Sequence, residues 1–203
     1  MNLEVIISRN QSSDNFAQIS SILSPAEIQR AKASQSSDRA QKFIFTRAIL
    51  RILLAEYLAI NPKAVEIKAG ANGKPFSSNS IYFNLSHSHE LALYAFSLDS
   101  EVGIDLEYLG PRNFVGLAKR MMSASAYQAF KNLSAEQQLK VFYEYWTRKE
   151  AEIKLNGTGI FQPKSTFSAS MINFVPQPDY VAAIAHRYSV SSYLFQHYPQ
   201  YWL

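Results

Sequence analysis

Two long stretches of helical period, each followed by short strand-like runs that end in an alanine-rich apolar segment, set the tightest limit on how this chain can fold. The first helix is predicted from about Asp38 to Ala59, with Phe43, Leu50, Leu54 and Leu58 on one stripe and Asn61-Pro62 as its stop. The second is predicted from an N-cap at Ser134 to about Leu155, with Asn156-Gly157 as a glycine stop. Its stripe is Leu139, Phe142, Tyr143, Trp146 and Ile153. A shorter helix opens at Ser24-Pro25-Ala26-Glu27, which has the form of a capping box. Predicted strands are Val65 to Lys68, Ile81 to Leu85, Leu91 to Ser97 and Val102 to Glu107. Asn72-Gly73 and the polar stretch Ser86 to Glu90 are predicted turns, Arg112 to Ala129 an interrupted helix, and Phe161 to Leu203 further short strands. The apolar runs ELALYAF (Glu90 to Phe96) and DYVAAIA (Asp179 to Ala185) close the two rounds. They mark either two related halves of about 100 residues each or two unrelated buried strands.

Composition narrows the class. With 203 residues, 47% of them hydrophobic, the chain can build one domain or two small fused lobes. No apolar run approaches the roughly 20 residues that span a bilayer; Ala48 to Ile60 is broken by Arg51 and Glu56. MNLEVIISRN lacks the order of a secretory signal and reads as an opening strand. There is no cysteine, which removes disulfides, thiolate metal sites and a cysteine nucleophile, and makes a cytoplasmic location the expectation. The net charge of +4 suits ordinary solubility or an anionic partner.

In Val102-Gly103-Ile104-Asp105-Leu106-Glu107, period-two alternation puts Val102, Ile104 and Leu106 on one face and Gly103, Asp105 and Glu107 on the other. Two neighbouring carboxylates repel unless solvent or a cation answers them. Glu150 falls four residues after Trp146 and three before Ile153, on the apolar side of its helix, where a carboxylate without a partner is unfavourable. Together Asp105, Glu107 and Glu150 would make an oxygen-only site of the kind Mg²⁺ shares with waters and phosphates; the alternative is a solvent-facing strand edge. Lys154, four after Glu150, is either a surface ion-pair partner or part of that site. Arg47 sits within the stripe of the first long helix, one turn from Arg51, and either binds an anion or snorkels at the core's edge. Lys74 lies in the turn Asn72-Gly73-Lys74-Pro75, and His87 in a stretch where capping a turn is the plainer role.

These segments together resemble the 4'-phosphopantetheinyl transferase superfamily, in its larger surfactin-type branch. Gly103-Ile-Asp-Leu-Glu107 resembles that family's metal-binding strand, and Trp146-Thr-Arg-Lys-Glu-Ala-Glu-Ile-Lys154 its second signature. Asn72-Gly-Lys-Pro75 and Phe83-Asn-Leu-Ser-His-Ser88 resemble its two upstream motifs, in the same order. The likeness runs from about Ser24 to Ile160. It implies an α+β fold of two similar lobes forming a pseudo-dimer, residues 1–100 and 101–203, each a small antiparallel sheet packed with a long helix, and a monomeric molecule. It implies transfer of the phosphopantetheine arm of coenzyme A to a serine of an apo acyl or peptidyl carrier protein, with Mg²⁺ and release of 3',5'-ADP. The resemblance assigns Asp105, Glu107 and Glu150 to Mg²⁺. It assigns Arg47, Lys74, Ser86 and His87 to coenzyme A, with Arg51 and Arg30 as further basic positions, and Lys154 to the pyrophosphate. Glu150, or a water, would take the serine proton, and Lys154 would assist the leaving group. The segment before Tyr127 lacks the acidic residue that many relatives carry, and the chain ends early, at Tyr198-Pro-Gln-Tyr-Trp-Leu203.

Two other readings stand beside this one. A catalytically idle member would bind coenzyme A or a carrier without transfer; the intact carboxylate trio and Lys154 argue against it. A nucleic-acid-binding protein is suggested by the basic balance and 12 tyrosines, but no continuous basic stripe supports it, and neither nucleic acid nor membrane is expected as a partner.

Overall fold

The computed structural model describes residues 3–9, 16–70, 72–78, 80–110, 113–158, 169–189 and 193–198. Strand β1 (Leu3–Arg9) is followed by helices α1 (Phe16–Ser20), α2 (Pro25–Lys32) and α3 (Ser37–Leu58). A 3-10 turn at Pro62–Ala64 leads to β2 (Lys68–Ala69), β3 (Pro75–Phe76), β4 (Tyr82–Ser88) and β5 (Leu91–Ser97). Then come β6 (Val102–Tyr108), α4 (Phe114–Met121), α5 (Ala124–Lys131), α6 (Ala135–Asn156), β7 (Ser170–Phe174), β8 (Tyr180–His186) and β9 (Leu194–His197).

The two rounds repeat one topology. In the first, β5 pairs antiparallel with both β1 and β4, and α3 lies between β1 and that hairpin in sequence. In the second, β8 pairs antiparallel with both β6 and β7, with α6 in the equivalent place. Each long helix has 22 residues. Each alanine-rich strand is the middle strand of its half's three, preceded by a residue with positive φ, His89 at 50° and Asp179 at 63°. The fold is thus α+β, two helix-plus-antiparallel-sheet units. One element departs from a clean division at residue 100: β9 runs parallel to β1 and completes the order β4-β5-β1-β9 in the first sheet.

Side-chain alternation builds the layers. Leu3, Val5, Ile7, Leu91, Leu93 and Ala95 of the first sheet meet Val102, Ile104, Leu106, Ala182 and Ile184 of the second in one buried cluster. The opposite side of the first sheet, through Ile6, Phe83, Ala92, Tyr94 and Phe96, packs against α3. The opposite side of the second sheet, through Val181, Ala183 and Ala185, packs against α6. Small residues let α6 come close. The line Tyr143, Thr147, Ala151, Leu155 is its buried edge, one turn apart at each step. A Cβ on Gly103 would lie 2.0 Å from the Ala151 carbonyl oxygen and 2.5 Å from the Leu155 nitrogen.

The two sheets also meet at a corner. Strand β4 has no backbone pairing to β6, yet its alternate side chains accept the free N–H groups of that edge. Ile104 N–H donates to Asn84 Oδ1 at 3.0 Å, Leu106 N–H to Ser86 Oγ at 3.2 Å, and Tyr108 N–H to Ser88 Oγ at 3.0 Å. The polar stretch predicted as a turn from Ser86 is therefore strand as far as Ser88, and only His89 and Glu90 turn. Ser86 and Ser88 are polar because they serve a seam, while His87 between them is exposed.

The capping box at Ser24 forms, and Ser134 and Gly157 bound α6 as the sequence indicated. Helix α3 stops at Ala59 in left-handed conformation, two residues before Asn61-Pro62. Val65 to Lys68 is mostly connection, with β2 beginning at Lys68. The α6 stripe is rotated from the one predicted: Tyr143, Thr147, Ala151 and Leu155 are buried, while Leu139, Trp146 and Ile153 are half-exposed flanks. Among the described residues no helix is long and apolar enough to cross a membrane. The predicted strand region from Phe161 lies outside the described residues up to 168, as does the aromatic end from 199.

Two stability predictions follow from this packing. Gly103→Ala should lower the free energy of unfolding by roughly 3 kcal/mol, the upper end of overpacking costs, because backbone rather than a flexible side chain blocks the new Cβ. Urea unfolding checks it, and a loss within the ordinary surface range of about 0.5 kcal/mol would contradict the close crossing. Glu27→Gln keeps shape and the capping box but leaves buried Arg51 without its counter-charge. The expected loss is about 3 kcal/mol, and an unchanged denaturation midpoint would show that the pair is not what holds α2 to α3.

Candidate functional site

Gly103, Asp105 and Glu107 lie on the face of β6 that α6 crosses, and the crossing brings Glu150 and Lys154 alongside them. Asp105 is buried, its side chain 7% exposed. Its Oδ1 accepts from Lys154 Nζ at 2.7 Å and from Ser86 Oγ at 3.0 Å. Lys154 Nζ also donates to Ser86 Oγ at 2.9 Å, so carboxylate, hydroxyl and ammonium close a triangle across the seam. The other oxygen, Oδ2, is buried without a hydrogen-bond partner.

Glu150 is half-buried at the margin of this triangle. Desolvation by burial raises its pKa above the ordinary carboxylate range, the Asp105 and Glu107 charges add to the rise, and Lys154 counters them. Asp105, Glu107 and Glu150 thus share one electrostatic field, as their placement in the sequence suggested. Among the described residues no group of three or more His, Asp or Glu side chains is arranged, as it stands, to hold a metal ion. A positive charge already sits at Asp105, on Lys154.

Basic groups of the first lobe form two sets, His87 and Lys42 within reach of Lys154, and Arg30, Arg47 and Arg51 around Glu27. His87, near the end of β4, is exposed at its surface, yet partial desolvation and the nearby Lys154 and Lys42 cations hold its pKa below the usual imidazole value. Arg47 and Arg30 stack against Phe43, their guanidinium carbons 5.5 and 5.2 Å from the ring centre. Arg47 Nε approaches Glu27 Oε1 at 3.5 Å, while Arg47 Nη1 is buried without a hydrogen-bond partner. Burial lowers the Arg47 pKa, Glu27 opposes that, and Arg30 and Arg51 add to the lowering.

Three residues expected to meet coenzyme A have their polar atoms committed inside the protein. Arg51 is 3% exposed; its Nε donates to Glu27 Oε2 at 2.7 Å and its Nη1 to the carbonyls of Pro62 and Val65 at 3.0 and 2.9 Å. Lys74 Nζ donates to Glu101 Oε2 at 2.5 Å and to the carbonyls of Val102 and Leu155 at 3.2 Å each, which uses all three ammonium protons. With Asn72 Nδ2 donating to the Gly157 carbonyl at 2.6 Å, the turn grips the C-terminal end of α6, where cations and donors are favoured. Ser86 is committed as described. Arg51, Lys74 and Ser86 thus make contacts here that hold the site's framework.

Glu27, Lys42 and Glu101 were not singled out by the sequence. Glu27 announced itself only as a capping residue, and its second role requires the pairing of α2 with α3. Lys42 follows Asp38 by one turn and forms a 3.0 Å ion pair with it, which in the sequence is an ordinary surface pattern.

Comparison with known proteins agrees with this arrangement. Residues 101–202 match the family model described as the 4'-phosphopantetheinyl transferase superfamily. The chain is 33% identical over 214 residues to 4'-phosphopantetheinyl transferase HetI of a Nostoc species, covering 95% of this chain and 88% of that one. It is 34% identical to 4'-phosphopantetheinyl transferase psf-1 of Bacillus pumilus over 65% of this chain and 57% of the relative. To 4'-phosphopantetheinyl transferase ffp of Bacillus subtilis it is 25% identical, over 82% and 75% respectively. Matching a relative along nearly its whole length and folding as two α+β units, the chain belongs to the 4'-phosphopantetheinyl transferase superfamily, and its activity is 4'-phosphopantetheinyl transfer.

Proposed function

We propose that this chain moves the 4'-phosphopantetheinyl arm of coenzyme A onto a serine of an apo acyl or peptidyl carrier protein, releasing 3',5'-ADP, with Mg²⁺ held by Asp105, Glu107 and Glu150. The observation that carries this reading is the Asp105 carboxylate: buried, tied at one oxygen and unpartnered at the other, beside two further carboxylates. A hard divalent cation suits that donor set, because Mg²⁺ pairs one or two carboxylates with waters and substrate phosphates. When bound it would supply neutralisation of the pyrophosphate charge.

The chain's own residues do the rest. His87, with Lys42 beside it, and Arg47, with its free Nη1, form the cationic wall that orients the phosphates of coenzyme A. The carrier serine Oγ attacks the β-phosphorus; the new O–P bond forms as the bond to the leaving 3',5'-ADP breaks. The serine proton passes to Glu150 or to a water that it holds. Lys154, within reach of the same site, stabilises charge growing on the leaving phosphate. Lys74 and Arg51 act from behind, one fixing the end of α6 and the other fixing α3. The net charge of +4 favours encounter with an acidic carrier. The two lobes, fused near Ser100, make a monomer the working unit in this reading.

Incubating the protein with coenzyme A, Mg²⁺ and several apo carrier proteins should add one phosphopantetheine to at least one carrier by intact mass, and EDTA or Asp105→Ala should abolish the gain. Coenzyme A binding without a mass gain on any carrier would instead mark a binding protein without transfer. The role of His87 has its own check. An anionic phosphate beside it favours the charged imidazole, so its pKa, followed by NMR, should rise from its depressed value when coenzyme A is added. No movement on saturation would remove His87 from the binding wall.

A further inference from the structure

We propose that Ser86 is a positioning residue that fixes which oxygen of Asp105 is offered to the metal, and that its hydroxyl does not contact coenzyme A. The inference rests on the reading that Asp105 is a metal ligand. A serine hydroxyl has one proton to donate and two lone pairs to accept with. Here all three are in use: Oγ donates to Asp105 Oδ1, accepts from the Leu106 N–H and accepts from Lys154 Nζ, at 3.0, 3.2 and 2.9 Å. The residue is 7% exposed, so water offers no replacement. Nothing is left over for a phosphate.

The consequence for Asp105 is an asymmetry. The terminal torsion of an aspartate is broad and nearly two-fold, so its oxygens are interchangeable until donors distinguish them. Oδ1 receives both donors and Oδ2 receives none, although it is equally enclosed. Of the two donors, Lys154 ends a long side chain and is 28% exposed. Ser86 is short, and its oxygen is itself pinned by the backbone of the strand that carries Asp105. Ser86 is therefore the rigid member. It belongs to the first lobe and Asp105 to the second, so the presentation of Oδ2 requires the seam to be closed. Outer partners of this kind commonly contribute 10- to 100-fold to metal affinity.

The seam supplies an internal control. Ser88 makes the same kind of bond, to the Tyr108 N–H at 3.0 Å, one step further along and away from the carboxylate. Ser86→Ala and Ser88→Ala each remove the acceptor of one β6 N–H, so both should stay folded with lowered thermal stability. With coenzyme A present, Mn²⁺ binding followed by the EPR signal of the free ion should weaken by roughly tenfold or more in Ser86→Ala. It should stay near wild type in Ser88→Ala and recover in Ser86→Thr, which keeps the hydroxyl. The KM for coenzyme A at saturating metal should not move in Ser86→Ala. Equal Mn²⁺ affinity in the two alanine variants would overturn the proposal, as would a raised KM for coenzyme A with unaltered metal binding. That comparison stands even if the threonine methyl cannot be packed. Asp105→Asn binding Mn²⁺ as tightly as wild type would overturn the metal reading itself, and this inference with it.

Discussion

Three side chains on one strand, Asn84, Ser86 and Ser88, take the place that a neighbouring strand's carbonyls would have at the edge of β6, and the two lobes stay in register because of it. An edge strand exposes N–H groups that must find acceptors, and inside a protein an unanswered one is expensive. Backbone pairing would have merged both sheets into one continuous surface. Side-chain acceptors allow the sheets to meet at a corner, with an apolar cluster filled from both. Because the acceptors alternate along β4, its opposite face packs toward α3 through Phe83 and Leu85. One strand thus serves the core of its own lobe with one face and the junction with the other.

The site forms where this junction meets α6. Thr147 and Ala151 are small, and Gly103 has no side chain, so the helix lies almost on the strand's backbone. That closeness sets Glu150 and Lys154 beside Asp105. The far end of α6 is held by the first lobe, through Asn72 and Lys74 on its terminal carbonyls. Helix, strand and carboxylates are thereby fixed relative to one another from both sides.

Much of this was legible from local patterns. Alternation in Val102 to Glu107 placed Asp105 and Glu107 on the face that meets α6, and capping signals at Ser24, Ser134 and Gly157 marked helix ends correctly, because these depend on residues only a few positions apart. What escaped was long-range pairing. Glu27 reads as a cap, and nothing in the sequence shows that it also answers Arg47 and Arg51. Arg47 reads as either binding an anion or snorkelling at the core's edge; the anion it approaches here is internal, Glu27. Ser86 and Ser88 look like turn residues because a polar run usually faces water, whereas here it faces the backbone of a strand 20 residues on. The α6 stripe holds at Phe142 and Tyr143, but beyond them the line of contact runs through Thr147, Ala151 and Leu155 rather than Trp146 and Ile153.

The parallel strand β9 bears on the order in which the molecule can be made. Its residues, Leu194–His197, are made long after β1, whose outer edge they cover. During vectorial synthesis β1 and β5 can pair early, but the outer edge of β1 stays open until Leu194–His197 have emerged. An open edge of apolar strand is a template for wrong partners. The first sheet therefore stays unfinished until the second has been made, and the strand that completes it comes from beyond the second.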